Sequence, residues 1–179
     1  MKILLAVDGS AIGLAAVRHL VEFSKSLAET PAVTLLYVDP PLLRSVALEL
    51  GSDGVERYHA ENGAYAMKKA RTALKRAQIP FAEKVVVGEP AESIVKQAKA
   101  TKADLIVVGS GLGGLCAGAL AARHGLEVLV LEAHDRPGGA AHGFRRGGFH
   151  FESGPSLWSG LGRWPSANPL TQVLRAVGE

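Results

Sequence analysis

The chain has 179 residues, 47% hydrophobic and 21% charged, the composition of an ordinary water-soluble globular protein of one domain or one domain with an appendage. A formal net charge of +3, without a Lys/Arg run of five, gives no charge-based case for a nucleic-acid or membrane partner. The single cysteine, Cys116, excludes an internal disulfide or a cysteine zinc cluster, and among Ala and Leu neighbours it reads as a buried, unreactive thiol in a reducing compartment.

The opening MKILLAVDGS has too short an apolar run before Asp8 for a secretory segment, so the cytoplasm is the expected compartment. Residues 3–7 read as a buried strand. Asp8-Gly9-Ser10 turns it into a helix, with Ser10 as N-cap and Leu14, Val17 and Val21 at helical spacing. Residues 33–38 read as a second buried strand, ended at Asp39-Pro40-Pro41 because proline cannot donate to a ladder. Residues 40–54 are expected to form a long connection with a short apolar piece. The pattern is helical again over residues 55–77, with Ala60, Ala64, Met67, Leu74 and Ala77 on the core face and Lys68, Lys69, Arg71, Lys75 and Arg76 solvated. Residues 81–88 give a third strand, and Glu89-Pro90 opens a helix with Ala91, Ile94, Val95 and Ala98 at i, i+3, i+4, i+7.

Residues 104–115, DLIVVGSGLGGL, organise the chain. A β-branched apolar run suited to a sheet covered on both faces leads into Gly109, Gly111 and Gly114 at GxGxxG spacing. The first glycine allows the tight turn, the second lets backbone approach a pyrophosphate, and the third lets the following helix pack against the strand. Ser110 lies in the same turn and joins the candidate contacts. The unpaired N–H groups that open that helix would face the anion. The helix is expected to end near His124-Gly125, and a fifth strand over residues 127–131 ends in Glu132, 23 residues after Gly109 and close to the spacing at which a carboxylate reaches a ribose hydroxyl. Residues 105–122 are 18 without a charge, a membrane-span length, but five glycines and Ser110 interrupt them, so strand, turn and helix is the better reading.

Strand and helix therefore alternate as βαβαβαβαβ to Glu132. This predicts a doubly wound, parallel five-stranded α/β sheet of flavodoxin-like or Rossmann-like class with helices on both faces. Ligands of such sheets sit at the carboxyl ends of the strands where the winding reverses, so Asp8, Val38 and the Gly109 loop can share one cleft.

ILLAVDGS, VTLLYVDP, VVVGEPAESIV and ADLIVVGS agree in order and spacing with the universal stress protein family, which residues 1–110 resemble. The resemblance implies an ATP-binding or other adenine-nucleotide-binding module, with Asp8 and the backbone at Val38 holding adenine and ribose and Gly109 holding phosphates. It also implies a homodimer. That family's phosphate motif is Gly, two residues, Gly, nine residues, then Gly-Ser or Gly-Thr. Here Gly111 and Gly114 have the first spacing, but His124 and Gly125-Leu126 follow, and the hydroxyl is missing.

From residue 104 onward, VVGSGLGGLCAGALAARHGLEVLVLEAHDRPGGAAHGF resembles the amino-terminal segment of FAD-dependent oxidoreductases of the phytoene desaturase and carotenoid isomerase type. The resemblance implies that the glycines cradle the FAD pyrophosphate, that Glu132 binds ribose, and that the turn of Arg136, Gly138 and Gly139 runs beneath the cofactor. GFHFESGPSLWSG continues the likeness. Such enzymes run for several hundred further residues, so only their first part is matched. Two families meeting in one shared strand-turn is expected to mark a fusion. The expected organisation is a nucleotide-binding domain over residues 1–132 and a partly disordered flavoenzyme-like tail over residues 133–179, its Phe144, Phe149, Phe151 and Trp158 loosely packed on the sheet domain. His134, His142 and His150, eight apart, are read as solvated rather than as a metal triad. No spacing assembles a nucleophile and base. The expectation is an adenine-nucleotide module without its own catalysis. The alternatives are an FAD-binding fragment and a dimerising regulatory module with an empty site.

Overall fold

The computed structural model describes residues 1–132, 136–152, 154, 161–162, 164–166 and 168–178. Nine elements alternate without exception: β1 (Lys2–Ala6), α1 (Ala11–Ser24), β2 (Ala32–Asp39), α2 (Arg44–Arg76), β3 (Phe81–Val87), α3 (Pro90–Thr101), β4 (Leu105–Gly109), α4 (Leu112–Arg123) and β5 (Val128–Leu131). The five strands form one sheet in the order β3-β2-β1-β4-β5, every pair parallel. This is the predicted α/β class. The chain winds outward from β1 to β3 and then returns to place β4 on the other side of β1, so the winding reverses between β1 and β4.

Two cores cover the central strands. Leu5, Leu35 and Val107 point to the α1–α2 face with Val17, Leu20, Met67 and Leu74, while Leu4, Leu36, Ile106 and Val108 meet Ile94, Val95, Ala98, Ala117 and Ala121 on the other. Leu4 and Leu5 are both 0% exposed, as period-two alternation requires of a strand covered twice. Burying each such leucine stabilises by about 1.5–3 kcal/mol. Residues 105–122 form strand, turn and helix, and among the described residues no helix is long and apolar enough to cross a membrane.

Three readings of α2 need correction. Residues 40–54 are not a loose connection: the helix begins at Arg44 and is broken into two segments by Gly51, whose φ of 67° and ψ of 174° are non-helical. Leu43 at the N-cap and Leu48 on the first segment are each 75% exposed, so no amphipathic pattern marked it. The buried stripe is His59, Gly63, Ala66, Met67, Ala70 and Leu74, and Ala60 and Ala64 face outward. Gly63 sets this phase, because a Cβ there would stand 2.3 Å from Val85 Cγ2, and glycine alone brings the helix onto β3. Arg71 is not simply solvated: its guanidinium is forked on Glu83 of β3 at 2.5 and 2.8 Å.

After β5, the described residues form a one-turn helix at Gly139–Ala141, an antiparallel hairpin of β6 (Gly143–Arg146) and β7 (Phe149–Glu152), and α5 (Pro169–Val177). Phe144 and Phe151 stack on each other across the hairpin with centroids 5.3 Å apart, and Phe149 is 71% exposed. Directly opposed cross-strand positions bring these two rings together. Trp158 and His134 lie outside the described residues. Helix α5, capped by the Asn168 side chain on the Leu170 N–H, packs against α4.

Candidate functional site

The reversal between β1 and β4 opens a cavity of about 430 Å³ at the carboxyl ends of the strands. Asp8, Val38, Gly109, Gly111, Gly114 and Gly139 all line it, with Ser10 and Gly13 of the β1–α1 segment and Pro90 and Ile94 of α3 closing the sides. Its volume lies toward the small end of the range for small-molecule sites.

Each wall follows from local sequence. The Asp8 carboxylate accepts the Ser10 N–H at 2.9 Å, and Ser10 in turn caps α1 by accepting the Gly13 N–H at 2.9 Å. A Cβ on Gly13 would lie 2.7 Å from Asp8 Oδ1, so the glycine leaves the carboxylate its place at the cavity wall. Gly9 holds a left-handed φ of 78° and sits on Ala66 of α2, where a Cβ would come within 2.9 Å of the Ala66 Cα. The first loop of the cleft is thereby seated on α2.

At the glycine turn, Gly114 and Gly111 have opposite surroundings. A Cβ on Gly114 would fall 1.9 Å from the Gly109 carbonyl oxygen, so α4 can approach β4 this closely only with glycine there. A Cβ on Gly111 would meet nothing within 4 Å, and its backbone is open toward the cavity. Gly111 caps α4 without a side-chain acceptor, which leaves the helix's first N–H groups directed at the cleft, the arrangement that holds anions.

The remaining site residues flank the cavity rather than line it. Ser110 is 2% exposed and its hydroxyl donates to the Glu132 carboxylate beyond β5, on the far side of β4 from Asp8. Gly138 donates its N–H to the Ser110 carbonyl at 2.8 Å and bridges to Gly111, and a Cβ on Gly139 would lie 3.0 Å from the Gly111 Cα. The Arg-x-Gly-Gly turn thus lies backbone to backbone on the glycine loop, closing the cleft from above, while Arg136 donates to the Gly143 carbonyl at 3.1 Å. Cys116 is half-buried rather than buried, and that burial pushes its thiol up, away from the reactive thiolate.

Sequence reasoning missed one polar cluster beside this site. Asp39, the last residue of β2 and 4% exposed, accepts His59 Nδ1 at 2.7 Å, Asn62 Nδ2 at 3.0 Å and the Tyr37 hydroxyl at 3.0 Å. Burial pushes the Asp39 carboxyl up, but the hydrogen bonds from His59, Asn62 and Tyr37 and the charge of His59 outweigh it and hold the group below the usual carboxylate range. The Tyr37 hydroxyl is pushed up to about 12, by burial and then by its bond to the Asp39 carboxylate. The available signal was a histidine on the buried stripe of α2, since a buried imidazole requires a polar partner in the sheet beneath it.

The universal stress protein family profile matches residues 1–120, and the profile of an NAD(P)-binding Rossmann-like domain matches residues 107–176. Among curated proteins, a chloroplastic prolycopene isomerase 2 of an Oncidium hybrid cultivar is 44% identical over 82 residues, covering 46% of this chain and 14% of its own. The all-trans-retinol 13,14-reductase of Macaca fascicularis is 37% identical over 97 residues, covering 51% and 16%. The chain therefore spans less than a fifth of these relatives. Solved structures share the fold. The universal stress protein UspA from Lactobacillus plantarum superposes with a TM-score of 0.59 at 19% identity over 74% of this chain and 97% of that one. A universal stress protein in complex with cAMP gives 0.56 at 23% over 75% and 98%, and an Arabidopsis thaliana family protein with AMP bound gives 0.56 at 18% over 75% and 93%.

Proposed function

The chain belongs to the universal stress protein family, and from that premise we propose that it is an adenine-nucleotide-binding module without catalysis of its own. The observation that carries this is the convergence of Asp8, Val38, Gly109, Gly111 and Gly114 on one cavity at the reversal of winding. Asp8 and the backbone at Val38 take adenine and ribose. Gly109, Gly111, Gly114 and the first N–H groups of α4 take phosphate, with the helix macrodipole favouring the anion. Two of the solved structures that share the fold hold cAMP or AMP, ligands of this class. The family also implies a homodimer, which light scattering decides. Calorimetric titration with AMP, ADP and ATP tests the assignment, and the absence of heat and of any thermal shift at millimolar nucleotide would overturn it.

A second reading is favoured by the geometry of the turn itself. The Gly109–Gly114 contact is the close strand-to-helix packing of a GxGxxG loop, and residues 107–176 match a Rossmann-like profile. On this reading the chain is the FAD-binding start of an oxidoreductase joined to a stress-protein module within β4. The residues present fit the ADP half of FAD. When bound, the flavin would supply redox chemistry, while the turn from Arg136 to Gly139 would only orient it. The size of the cavity favours the mononucleotide.

A further inference from the structure

The Asp39 cluster lies on the opposite face of the sheet from the cavity, and none of its four residues lines it. It nevertheless ties down both segments that form the cavity's first wall. His59 and Asn62 fix α2 to the last residue of β2, one position beyond Val38. The Asp39 carbonyl accepts the Gly88 N–H at 3.0 Å, which carries the restraint into the end of β3. About two helical turns beyond His59 along α2, Ala66 supports Gly9, the residue between Asp8 and Ser10. Moving α2 therefore moves the Asp8 loop and the end of β2 together. The groups facing His59 are Asp39, Tyr37 and Asn62 from the sheet and the helix, with Tyr58 edge-on at 5.3 Å.

We infer that the Asp39–His59 pair is the positioning device of the nucleotide cleft, holding α2 so that Asp8 and Val38 are set at the spacing an adenosine needs. His59 is then a positioning residue that acts through two neighbours. A buried carboxylate with three donors is a costly way to anchor a helix, since each member must be satisfied or the group is destabilising, whereas an apolar pair of the same volume would anchor without direction. What the polar cluster adds is a fixed register between α2 and the strand end. For its ligand the inference rests on the adenine-nucleotide reading.

The test uses the full chain and AMP. His59→Ala is expected to weaken AMP binding by about tenfold, as loss of a charge-assisted hydrogen bond does when its effect reaches the ligand. His59→Asn places a carboxamide nitrogen where Nδ1 stands and is expected to restore most of that affinity, which a merely space-filling role would not do. Peptide-resolved amide exchange is read in parallel: His59→Ala should accelerate exchange at Ser10, Gly13 and Gly88 while β4 stays protected. Where His59→Ala does not fold, Tyr37→Phe removes one bond only and is expected to produce a smaller change in the same two readouts. A folded His59→Ala with unchanged AMP affinity and unchanged exchange at Ser10 and Gly88 overturns the inference. If the unmodified chain binds no AMP, the functional reading fails, and the exchange measurement still decides whether His59 positions the loop.

Discussion

The α-carbon of Gly114 is so close to Gly109 that a Cβ would stand 1.9 Å from its carbonyl oxygen, while a Cβ at Gly111, three residues earlier, would touch nothing. The two glycines are therefore constrained differently: packing fixes Gly114, whereas the space at Gly111 is open, as the proposed approach of a nucleotide requires. Gly114→Ala is expected to destabilise by at least the 1–3 kcal/mol typical of overpacking, because the obstructing atom is backbone and cannot rotate away. Gly111→Ala, at an ordinary φ of −65°, should leave stability within about 0.5 kcal/mol and reduce nucleotide affinity. Urea denaturation and calorimetry on both variants check this, and equal stability losses would show that the turn is purely structural.

The family's phosphate motif fails here for a spatial reason as well as a chemical one. Helix α4 begins at Leu112 and runs 12 residues, about 18 Å, so His124 and Gly125 stand at the opposite end of the sheet from the cleft. No hydroxyl at that position could reach a terminal phosphate. ATP should therefore show little advantage over ADP, with affinities within about threefold by calorimetry. A strong preference for ATP would mean that some other group meets the γ-phosphate.

Much of this was legible because the relevant signals are short-range. The GxGxxG turn, the Ser10 cap and the apolar strands depend on neighbours in sequence, and each stands where spacing put it. The topology of Asp8 and Val38 followed from alternation and the handedness of crossovers. What escaped is decided by long-range partners. His59 is 20 residues from Asp39 and Arg71 is 12 from Glu83, and no local pattern names the partner of a buried histidine or distinguishes a paired arginine from a solvated one. The phase of α2 was lost for the same reason: it is set by a glycine and a histidine, and the apolar count followed alanines that face water.

The Tyr37 hydroxyl, pushed up to about 12, makes stability fall at high pH. Because the folded state holds this proton more tightly than the unfolded one, the contribution is complete below pH 10 and is lost as pH rises from 10 toward 12. Its size is at most about 2–3 kcal/mol. Asp39, held below the usual carboxylate range, contributes in the reverse sense, its stabilisation present above that range and lost as pH falls through its lowered value. Tyr37→Phe should flatten the alkaline limb of the stability profile and remove the phenolate absorbance that develops near pH 12. An unchanged alkaline limb would show that Asp39 does not hold this proton.

The 179-residue chain is expected not to retain FAD through purification. The glycine loop can meet a pyrophosphate and Glu132 one ribose once Ser110 is displaced, but the cavity is of mononucleotide size, and the chain spans only 14–16% of the isomerase and reductase relatives it matches. Flavin absorbance near one per chain would reverse the assignment.

The two readings are separated by the positions of two carboxylates. Asp8 lies in the loop after β1 and lines the cavity, whereas Glu132 follows β5, on the other side of β4, and accepts the Ser110 hydroxyl. A nucleotide held in the stress-protein manner must feel Asp8→Ala and be indifferent to Glu132→Ala, and the dinucleotide manner requires the reverse. Loss of one ribose or adenine hydrogen bond to a carboxylate costs about 1.5–3 kcal/mol, roughly tenfold to a hundredfold in affinity. Asp8 is expected to carry that loss, because its side of the cleft is enclosed by α1 and α3, and a ribose on Glu132 would first have to displace Ser110. Ser110→Ala adds a control: it removes the Ser110 hydroxyl from Glu132 without touching Asp8, so AMP affinity should stay the same. Tighter binding in Ser110→Ala, together with a larger loss in Glu132→Ala than in Asp8→Ala, would place the adenosine on the β5 side.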